Sequence, residues 1–166
     1  MNTIITISRE YGAVGTSIGK RVAKELGIEL YDRDIIRHTV LQTGLDAGVI
    51  EHDVILNFAK QGPCVLLGRC ADLILEAEDI DCLKVFLYAD VLHRAKRVGE
   101  IIGSDDPTAI QKAMKRTDHA RRAYYQQFTG RRWGDCANYN LMLDTGLLGY
   151  DASAKLICEA ARSLEN

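Results

Sequence analysis

Residues 5–27 read ITISREYGAVGTSIGKRVAKELG, and this stretch decides the fold. An apolar run leads into a turn that contains Gly12 and Gly15, and a helical pattern follows in which Ile18 and Val22 lie on one face. Glycines allow a tight turn whose backbone N–H groups point inward, and the start of a helix attracts an anion. The order of strand, glycine turn and helix is therefore typical of a phosphate-binding loop.

The stretch departs from the standard pattern G-x-x-x-x-G-K-[ST], in which the lysine reaches the terminal phosphates. Counted from the end of the strand, the lysine position falls on Gly15. Lys20 comes too late and lies well inside the helix, so we expect its side chain to point to solvent. An ordinary turn between a strand and a helix explains the stretch equally well by itself. The predicted phosphate-binding residues are Gly12, Ala13, Val14, Gly15, Thr16 and Ser17.

Two hydroxyl side chains follow the missing lysine. Thr16 and Ser17 begin the predicted helix, where hydroxyls often cap free backbone N–H groups. They are also placed to contact a metal-bound water, and Ser17 is the candidate metal ligand of the two. Of these two roles, we expect capping.

Length, charge and cysteine content restrict the class of protein. The sequence has 166 residues, a formal net charge of −2 and five cysteines, with no CxxC pair. This length fits one domain spanning 1–166, and the charge does not suggest a nucleic-acid partner. The thiols favour a reducing, cytoplasmic location and buried structural roles over a zinc site. We see no leader pattern and no apolar stretch long enough for a bilayer, so we expect no membrane partner.

Short apolar runs alternate with helical patterns along the chain. Uniformly apolar strands separated by helices are typical of an α/β fold whose mostly parallel sheet is covered on both faces. In such folds, ligands gather at the carboxyl ends of the strands. Strands are predicted at 3–8, 28–31, 64–68, 83–89 and 139–145, and helices at 17–26, 33–44, 47–60, 91–102, after Pro107 and at 151–164.

Four segments occur in an order that resembles a known family. They read ISREYGAVGTSIGKRVAKELGIELYDRDII from Ile7, CVLLGRCADLIL from Cys64, RRAYYQQFTGRRWGD from Arg121 and NYNLMLDT from Asn138. Together they resemble the cytidylate-kinase-like family, a divergent branch of the P-loop nucleoside monophosphate kinases. The resemblance implies a three-layer P-loop kinase-like fold with a five-stranded, mostly parallel sheet and a helical lid at about 103–134. It also implies a phosphotransferase that uses ATP and Mg²⁺ on CMP, dCMP or a related small acceptor.

The resemblance assigns roles to residues that match the motifs of the family. Gly68 and Arg69 match a glycine–arginine pair whose arginine binds the phosphate of the acceptor, a role that suits the guanidinium fork. Asp118 and Arg121 match an Asp-x-x-Arg pair that recognises the cytidine and its phosphate. A surface ion pair on one helix face is the alternative for these two residues. Asp32 matches a segment that faces the acceptor.

Further residues complete the implied site. Lid arginines in the family neutralise charge as the phosphoryl group moves. The position of that lid is occupied here by a basic cluster of Lys115, Arg116, Arg121, Arg122, Arg131 and Arg132. Asp144 and Thr145 match a loop that lies near the adenine of ATP. The candidate metal ligands are Ser17 and Asp72, and the predicted catalytic residues are Arg9, Arg69, Arg131 and Arg132.

Departures from the family pattern keep several functions open. Leu67 and Cys70 stand where active cytidylate kinases carry acids, and the segment between the second and third strands is shorter than theirs. One hypothesis is a phosphotransferase in which Arg9 or another arginine supplies the charge of the missing lysine. A second is a non-catalytic, nucleotide-responsive protein, with a homodimer as one form of it, and a third is a fold that binds some other anion. An arginine that fills the space at Gly15 would favour the first hypothesis.

Overall fold

The computed structural model describes residues 3–44 and 47–165. This part of the chain contains five strands, seven α-helices and a short 3-10 helix at Cys136–Asn138. None of the described helices has the length and apolar character needed to cross a bilayer. In chain order, the elements are β1 Ile4–Arg9, α1 Gly15–Leu26, β2 Glu29–Tyr31, α2 Arg33–Thr43, α3 Ala47–Gln61, β3 Cys64–Leu67, α4 Ala71–Ala77, β4 Cys82–Tyr88, α5 Val91–Ile102, α6 Pro107–Thr129, β5 Leu141–Asp144 and α7 Thr145–Ser163.

The five strands form one sheet in the order β2-β3-β1-β4-β5, and every described strand pair is parallel. Ile7 of β1 lies opposite both Leu67 of β3 and Val85 of β4. The N–H of Gly68 continues the ladder by donating to the carbonyl of Ile7 at 3.0 Å. The carboxyl ends of β1 and β3 therefore lie side by side, which brings Arg9 and Gly68 together.

Two hydrophobic cores cover the two faces of the sheet. One core joins α1 and α7 to strand side chains such as Ile5. The other joins α2, α3 and α4 to alternate strand side chains such as Leu66. Each buried Leu or Ile contributes roughly 1.5–3 kcal/mol to folding, so strands covered on both faces must be apolar along their whole length. This three-layer arrangement confirms the predicted α/β fold class.

Two helices differ from the sequence-based prediction. The predicted pattern contained no helix after the third strand, where α4 occurs, because seven residues are too few to show a helical period. The last helix, predicted from about Asp151, is present in the second part of α7, and a further helical turn that was not predicted precedes it from Thr145. The carboxylate of Asp144 accepts the N–H groups of Gly146 and Leu147, and so starts a helical turn directly after β5. Gly149, at φ 79°, interrupts α7 where we had placed the loop.

The cysteines provide a test of the fold. Cys64, Cys70 and Cys158 are buried, Cys82 is partly buried and Cys136 is exposed. Burial raises the pKa of Cys64 and Cys70 to about 12 and that of Cys82 and Cys158 to about 11. Because the thiolate is the reactive form, we expect Cys136 to react rapidly with Ellman's reagent at pH 8 and the other four thiols to react after denaturation. The Cys136→Ser variant should lose the rapid phase, and a second rapid thiol would contradict the packing described here.

Candidate active site

The turn between β1 and α1 has the geometry of a phosphate-binding loop. Gly12 and Val14 have positive φ angles of 87° and 60°, and Val14 is the residue that precedes the first helical turn. No side chain of the described residues caps this end of α1, so its first N–H groups are available to an anion. Thr16 and Ser17 lie inside the first turn, and the expectation that they cap the helix is therefore wrong.

The loop packs closely against α5. A Cβ atom added to Gly12 would lie 2.7 Å from the carbonyl oxygen of Arg94 and 3.0 Å from its Cα. Glycine is needed at this position both for its φ angle and for the close approach. On the other side, the carbonyl of the buried Ala13 accepts the hydroxyl of Thr145 at 3.0 Å, and the same hydroxyl contacts the carbonyl of Tyr88 at 3.1 Å. Thr145 thus ties the loop to the ends of β4 and β5.

The side chain of Arg9 occupies the space of the missing lysine. A Cβ atom added to Gly15 would lie 2.5 Å from Cγ of Arg9, and one added to Gly68 would lie 2.7 Å from its Nη1. The arginine therefore runs from the lysine position of the loop to the turn after β3. Burial and the neighbouring Arg121 lower the pKa of Arg9 to about 9, so the guanidinium still carries its charge at neutral pH. Lys20, by contrast, is exposed as predicted.

Two cavities meet at Arg9. The first, which we call the loop cavity, measures about 100 Å³ and is lined by loop residues that include Gly15, Thr16 and Ser17. The second, which we call the arginine cavity, measures about 390 Å³ and lies between the turn after β3 and α6. Arg9 and Arg121 line both cavities. A group transferred from one cavity to the other would pass these two arginines.

Arg69 lies in the arginine cavity, as predicted for a residue that binds an acceptor phosphate. Its φ angle is 60°, and the same strained region is occupied by Cys70 at 54°. Nε of Arg69 lies 2.7 Å from Oε1 of Glu51 in α3, and its guanidinium lies 5.1 Å from the centre of the Tyr124 ring. Neither atom of this ion pair makes an aligned hydrogen bond to the described residues. Nothing in the sequence pattern indicated Glu51, because α3 and β3 meet only in the folded chain.

Asp118 contacts the loop instead of the arginine cavity. Its Oδ1 accepts the backbone N–H of Tyr11 at 2.8 Å, and its Oδ2 accepts Nη1 of Arg94 at 2.6 Å. Arg94 also donates from Nε to the carbonyl of Ala89 at 3.1 Å and lies 3.2 Å from Oε2 of Glu10. Asp118 faces the groove between α5 and α6 and is absent from the described lining of the arginine cavity. The predicted contact of Asp118 with an acceptor is not formed in this arrangement.

Arg121 also holds the loop while facing both cavities. Its Nη1 donates to the carbonyl of Arg9 at 2.8 Å, and its guanidinium lies 5.7 Å from the centre of the Tyr11 ring. Burial lowers the pKa of Arg121, and the nearby Asp118 acts in the opposite direction. The backbone position of Arg9 is therefore set by a residue of the predicted lid.

Two arginines of the predicted lid, Arg131 and Arg132, are absent from the described lining of both cavities. Arg131 forms a two-pronged ion pair with Glu76 of α4, at 2.6 and 3.2 Å. Lys84 contacts the same carboxylate, and together the two cations lower the pKa of Glu76 to about 2. Arg132 has an exposed side chain, and its carbonyl accepts Nδ2 of Asn138 at 2.8 Å. Their proposed catalytic role would require the segment to move.

The remaining predicted residues cap helices or are buried. Asp32 accepts the N–H groups that begin α2, and Asp144 does the same for α7. Asp72 is buried, accepts the hydroxyl of Tyr125 at 3.3 Å, and has its pKa raised by burial. It is absent from the described lining of both cavities. The structure therefore separates Asp72 from Ser17, the other candidate metal ligand.

The described residues could hold a magnesium ion only if the phosphates of a bound ligand supplied most of its contacts. They contain no group of three or more His, Cys, Asp or Glu side chains placed to hold a metal. Mg²⁺ commonly keeps several waters and binds one or two protein groups together with phosphate oxygens. The hydroxyl of Ser17 in the loop cavity suits such an ion.

The Asp118–Arg94 pair should stabilise the fold as well as the loop. Their side chains are only 14% and 11% exposed. Asp118→Ala takes one of two carboxylates from a mostly buried guanidinium, which keeps its contact with Glu10, and leaves the N–H of Tyr11 without its acceptor. We expect a loss of about 2–3 kcal/mol in the free energy of unfolding, measured by urea denaturation. Glu100→Ala is the matched control, because Glu100 pairs with Arg97 on the same helix at the surface. Its cost should stay at about 0–1 kcal/mol, and equal losses in the two variants would contradict the role given to Asp118.

Comparison with known proteins agrees with this geometry. The model of the cytidylate kinase-like family matches residues 4–53 and 48–147. Cytidylate kinase from Methanopyrus kandleri is 26% identical, with 95% of this chain and 92% of that protein covered. Cytidylate kinase from Thermococcus kodakarensis is 29% identical, with 81% and 65% covered.

Solved structures confirm the fold. An uncharacterized protein from Eubacterium ventriosum superimposes with a TM-score of 0.89 at 26% identity, covering 97% of this chain and 99% of that one. Shikimate kinase from Bacteroides thetaiotaomicron gives a TM-score of 0.61 at 15% identity, with 99% and 98% covered, and so shares the fold. With family-model matches over most of its length and a P-loop kinase architecture, the chain belongs to the cytidylate kinase-like family.

Proposed function

We propose that this protein is an ATP-dependent phosphotransferase that transfers a phosphoryl group to CMP, dCMP or a related small acceptor. The loop cavity would hold the phosphates of ATP, and the arginine cavity would hold the acceptor. The proposal is supported by the relatives, which are named cytidylate kinases, and by the two cavities that share a wall. Phosphoryl transfer needs mainly positioning and charge stabilisation, which is what this arrangement offers.

The observation that carries the proposal is the placement of Arg9. Its side chain fills the position of the loop lysine at Gly15, and its guanidinium reaches the turn that carries Arg69. A cation at the boundary between donor and acceptor can stabilise the negative charge that develops on the transferring group. Arg9 would thus replace the lysine from the preceding strand, and Gly15 provides the room for it.

The other residues take supporting roles. Arg69 would bind the phosphate of the acceptor, and Arg121 would contact the phosphates from the opposite wall while holding the carbonyl of Arg9. Asp144 and Thr145 would lie near the adenine of ATP. Arg131 and Arg132 would neutralise charge if the segment 103–134 closes, at the expense of the ion pair with Glu76. We place the catalytic contribution of Asp118 in positioning the loop.

Magnesium would support the same reaction. When bound, the ion neutralises phosphate charge and orients the phosphoryl group for transfer. The hydroxyl of Ser17 is the side chain placed to hold it, with Thr16 beside it in the first turn of α1. The buried Asp72 would act at most through intervening groups.

A second candidate function is nucleotide binding without catalysis. The observation that favours it is the absence, among the residues that the structure describes, of an acidic cluster able to hold a metal. Such a protein would respond to a nucleotide by moving the predicted lid, with a homodimer as one possible form. Small nucleotides would be its ligands in either case, and we propose a cytoplasmic location for both.

Replacement of Arg9 tests the central claim. We expect Arg9→Ala to lower kcat/KM by a hundredfold or more, the scale of losing a preorganised cationic group at the transferring phosphate. Adding Gly15→Lys to this variant should restore part of the activity, because the lysine then enters the space that Arg9 has left. Gly15→Lys alone should not raise kcat/KM, since the Cβ atom of the new lysine would lie 2.5 Å from Cγ of Arg9. Lys20→Ala, which removes an exposed cation of the same helix, is the control and should change kcat/KM by less than about twofold.

The acceptor is tested directly by a coupled assay of ATP conversion to ADP with Mg²⁺. The panel contains CMP, dCMP, UMP, AMP and no acceptor. We expect turnover that depends on the acceptor and that Arg69→Ala removes, because the arginine fork holds the acceptor phosphate. If ADP release stays at the level of the blank for every compound while ATP still binds, the non-catalytic function is favoured instead.

A further inference from the structure

The arginine cavity is strongly cationic for its size. Its described lining contains no Asp or Glu, although it measures only about 390 Å³. A phosphate monoester carries about −1.5 to −2 charges near neutral pH. One such group would leave much of the positive charge unbalanced. The cationic residues of the lining are Arg9, Arg33, Arg69, Arg116 and Arg121.

Two of the carboxylates near these arginines have other partners. Asp32 acts on Arg9 from nearby, but its side chain accepts the N–H groups at the start of α2. Asp118 lies near Arg121, but its two oxygens are engaged by the N–H of Tyr11 and by Arg94. Each of these carboxylates is already partly neutralised, so the cavity keeps a positive potential.

Glu51 is the carboxylate that pairs directly with an arginine of the cavity. Its contact with Arg69 at 2.7 Å shows that an anionic oxygen, here one of the protein's own, can lie against this guanidinium. The contact is not an aligned hydrogen bond, and the Nε atom of Arg69 is buried. A phosphate that enters the cavity can therefore compete with Glu51 for Arg69 by making the aligned contacts that Glu51 does not make.

The cavity offers little to read a nucleobase. The carboxylate of the Asp-x-x-Arg pair, Asp118, lies on the loop instead of in the cavity lining. Two aromatic rings of the cavity lining are each covered by an arginine: Arg69 lies over the ring of Tyr124, and Arg122 lies over the ring of Trp133. Stacking of a base on these faces would have to displace an arginine.

Two of the five arginines, Arg33 and Arg116, line the arginine cavity and are absent from the described lining of the loop cavity. Arg33 begins α2 and Arg116 belongs to α6, and both side chains are exposed while lining the cavity. The positive charge of Arg33 helps to lower the pKa of Arg9, so the two side chains are close. Helices α2 and α6 therefore bring cations to the same cavity. Neither residue has a role in the phosphoryl transfer proposed above. Both side chains are therefore available to a further anionic group in the arginine cavity.

We infer that the acceptor of this protein is a compact phosphate ester that carries a second anionic group, a carboxylate or another phosphate. Arg69 and Arg121 bind the first phosphate, and Arg33 and Arg116 bind the second anion. This inference rests on the proposed function in one respect, since it takes the arginine cavity as the acceptor site. It deepens that function by selecting acceptors by charge, with the nucleobase as a minor contributor.

Equilibrium binding to the full chain tests this selection without any need for turnover. Isothermal titration with 3-phosphoglycerate and with glycerol 3-phosphate compares two phosphate esters of the same carbon skeleton, of which only the first carries a carboxylate. CMP is the third probe. We expect 3-phosphoglycerate to bind at least tenfold more tightly than both other probes at low salt, with the preference falling as salt increases.

Variants separate binding in the arginine cavity from binding at the phosphate loop. Arg33→Gln and Arg116→Gln should each reduce the preference for 3-phosphoglycerate over glycerol 3-phosphate to less than about threefold and leave the affinity for glycerol 3-phosphate nearly unchanged. Arg37→Gln is the matched control, because Arg37 lies one turn further along α2, is exposed and is absent from the described cavity lining. This variant should keep the full preference.

The outcomes also distinguish the two proposals. If the preference is present and depends on Arg33 and Arg116, the inference holds, even if no compound is phosphorylated and the phosphotransferase proposal fails. If CMP binds as tightly as 3-phosphoglycerate, or if the preference survives both variants, the inference is overturned. In that case, turnover with CMP in the coupled assay would still support the proposed function.

Discussion

The buried cation of Arg9 is the constraint on which the rest of the site depends. A guanidinium can pass between β1 and the turn after β3 only because Gly15 and Gly68 have no side chains there. Gly15 is also the lysine position of a standard phosphate loop. The loss of the lysine and the presence of the arginine are therefore one structural change, in which the positive charge comes from the preceding strand. A charge held in this way is fixed by packing on several sides, whereas a loop lysine reaches its phosphate from a flexible stem.

The loop in turn depends on the helices that follow β4. Asp118 of α6 accepts the N–H of Tyr11, and Arg94 of α5 donates to the carbonyl of the same residue. Arg121 donates to the carbonyl of Arg9. These contacts join the loop between β1 and α1 to α6, which lies in the predicted lid segment. A movement of α6 would change the loop and Arg9 together. The ion pair of Arg131 with Glu76 adds a surface contact on the same side, where salt and solvent weaken it.

The arrangement accounts for membership of a kinase family despite an atypical loop. Transfer of a phosphoryl group needs little covalent chemistry from the protein and depends mainly on positive charges that stabilise the transferring group. Different residues can supply these charges. Here the cations cluster at the boundary of two cavities. Asp118, which was predicted to recognise the base, binds the loop instead, and the ring of Tyr124 is covered by Arg69. The fold of the family is therefore compatible with the acceptor that we infer for this protein.

The sequence by itself determined the order of strands and helices, the parallel sheet, and a loop that resembles a phosphate-binding loop but has no lysine at the usual position. These features follow from local periodicity and from glycine positions, which depend on near neighbours in the chain. It also supplied Arg9 and Arg69 as candidates, because both stand directly after a strand or its turn. Only the tertiary structure decided that Arg9 fills the space at Gly15, that Asp118 faces the loop, and that Glu51 pairs with Arg69. The contacts of Asp118 and Glu51 depend on how α6 and α3 pack against the sheet. The path of Arg9 depends on the space at Gly68 as well as at Gly15, so none of these contacts leaves a local pattern to recognise.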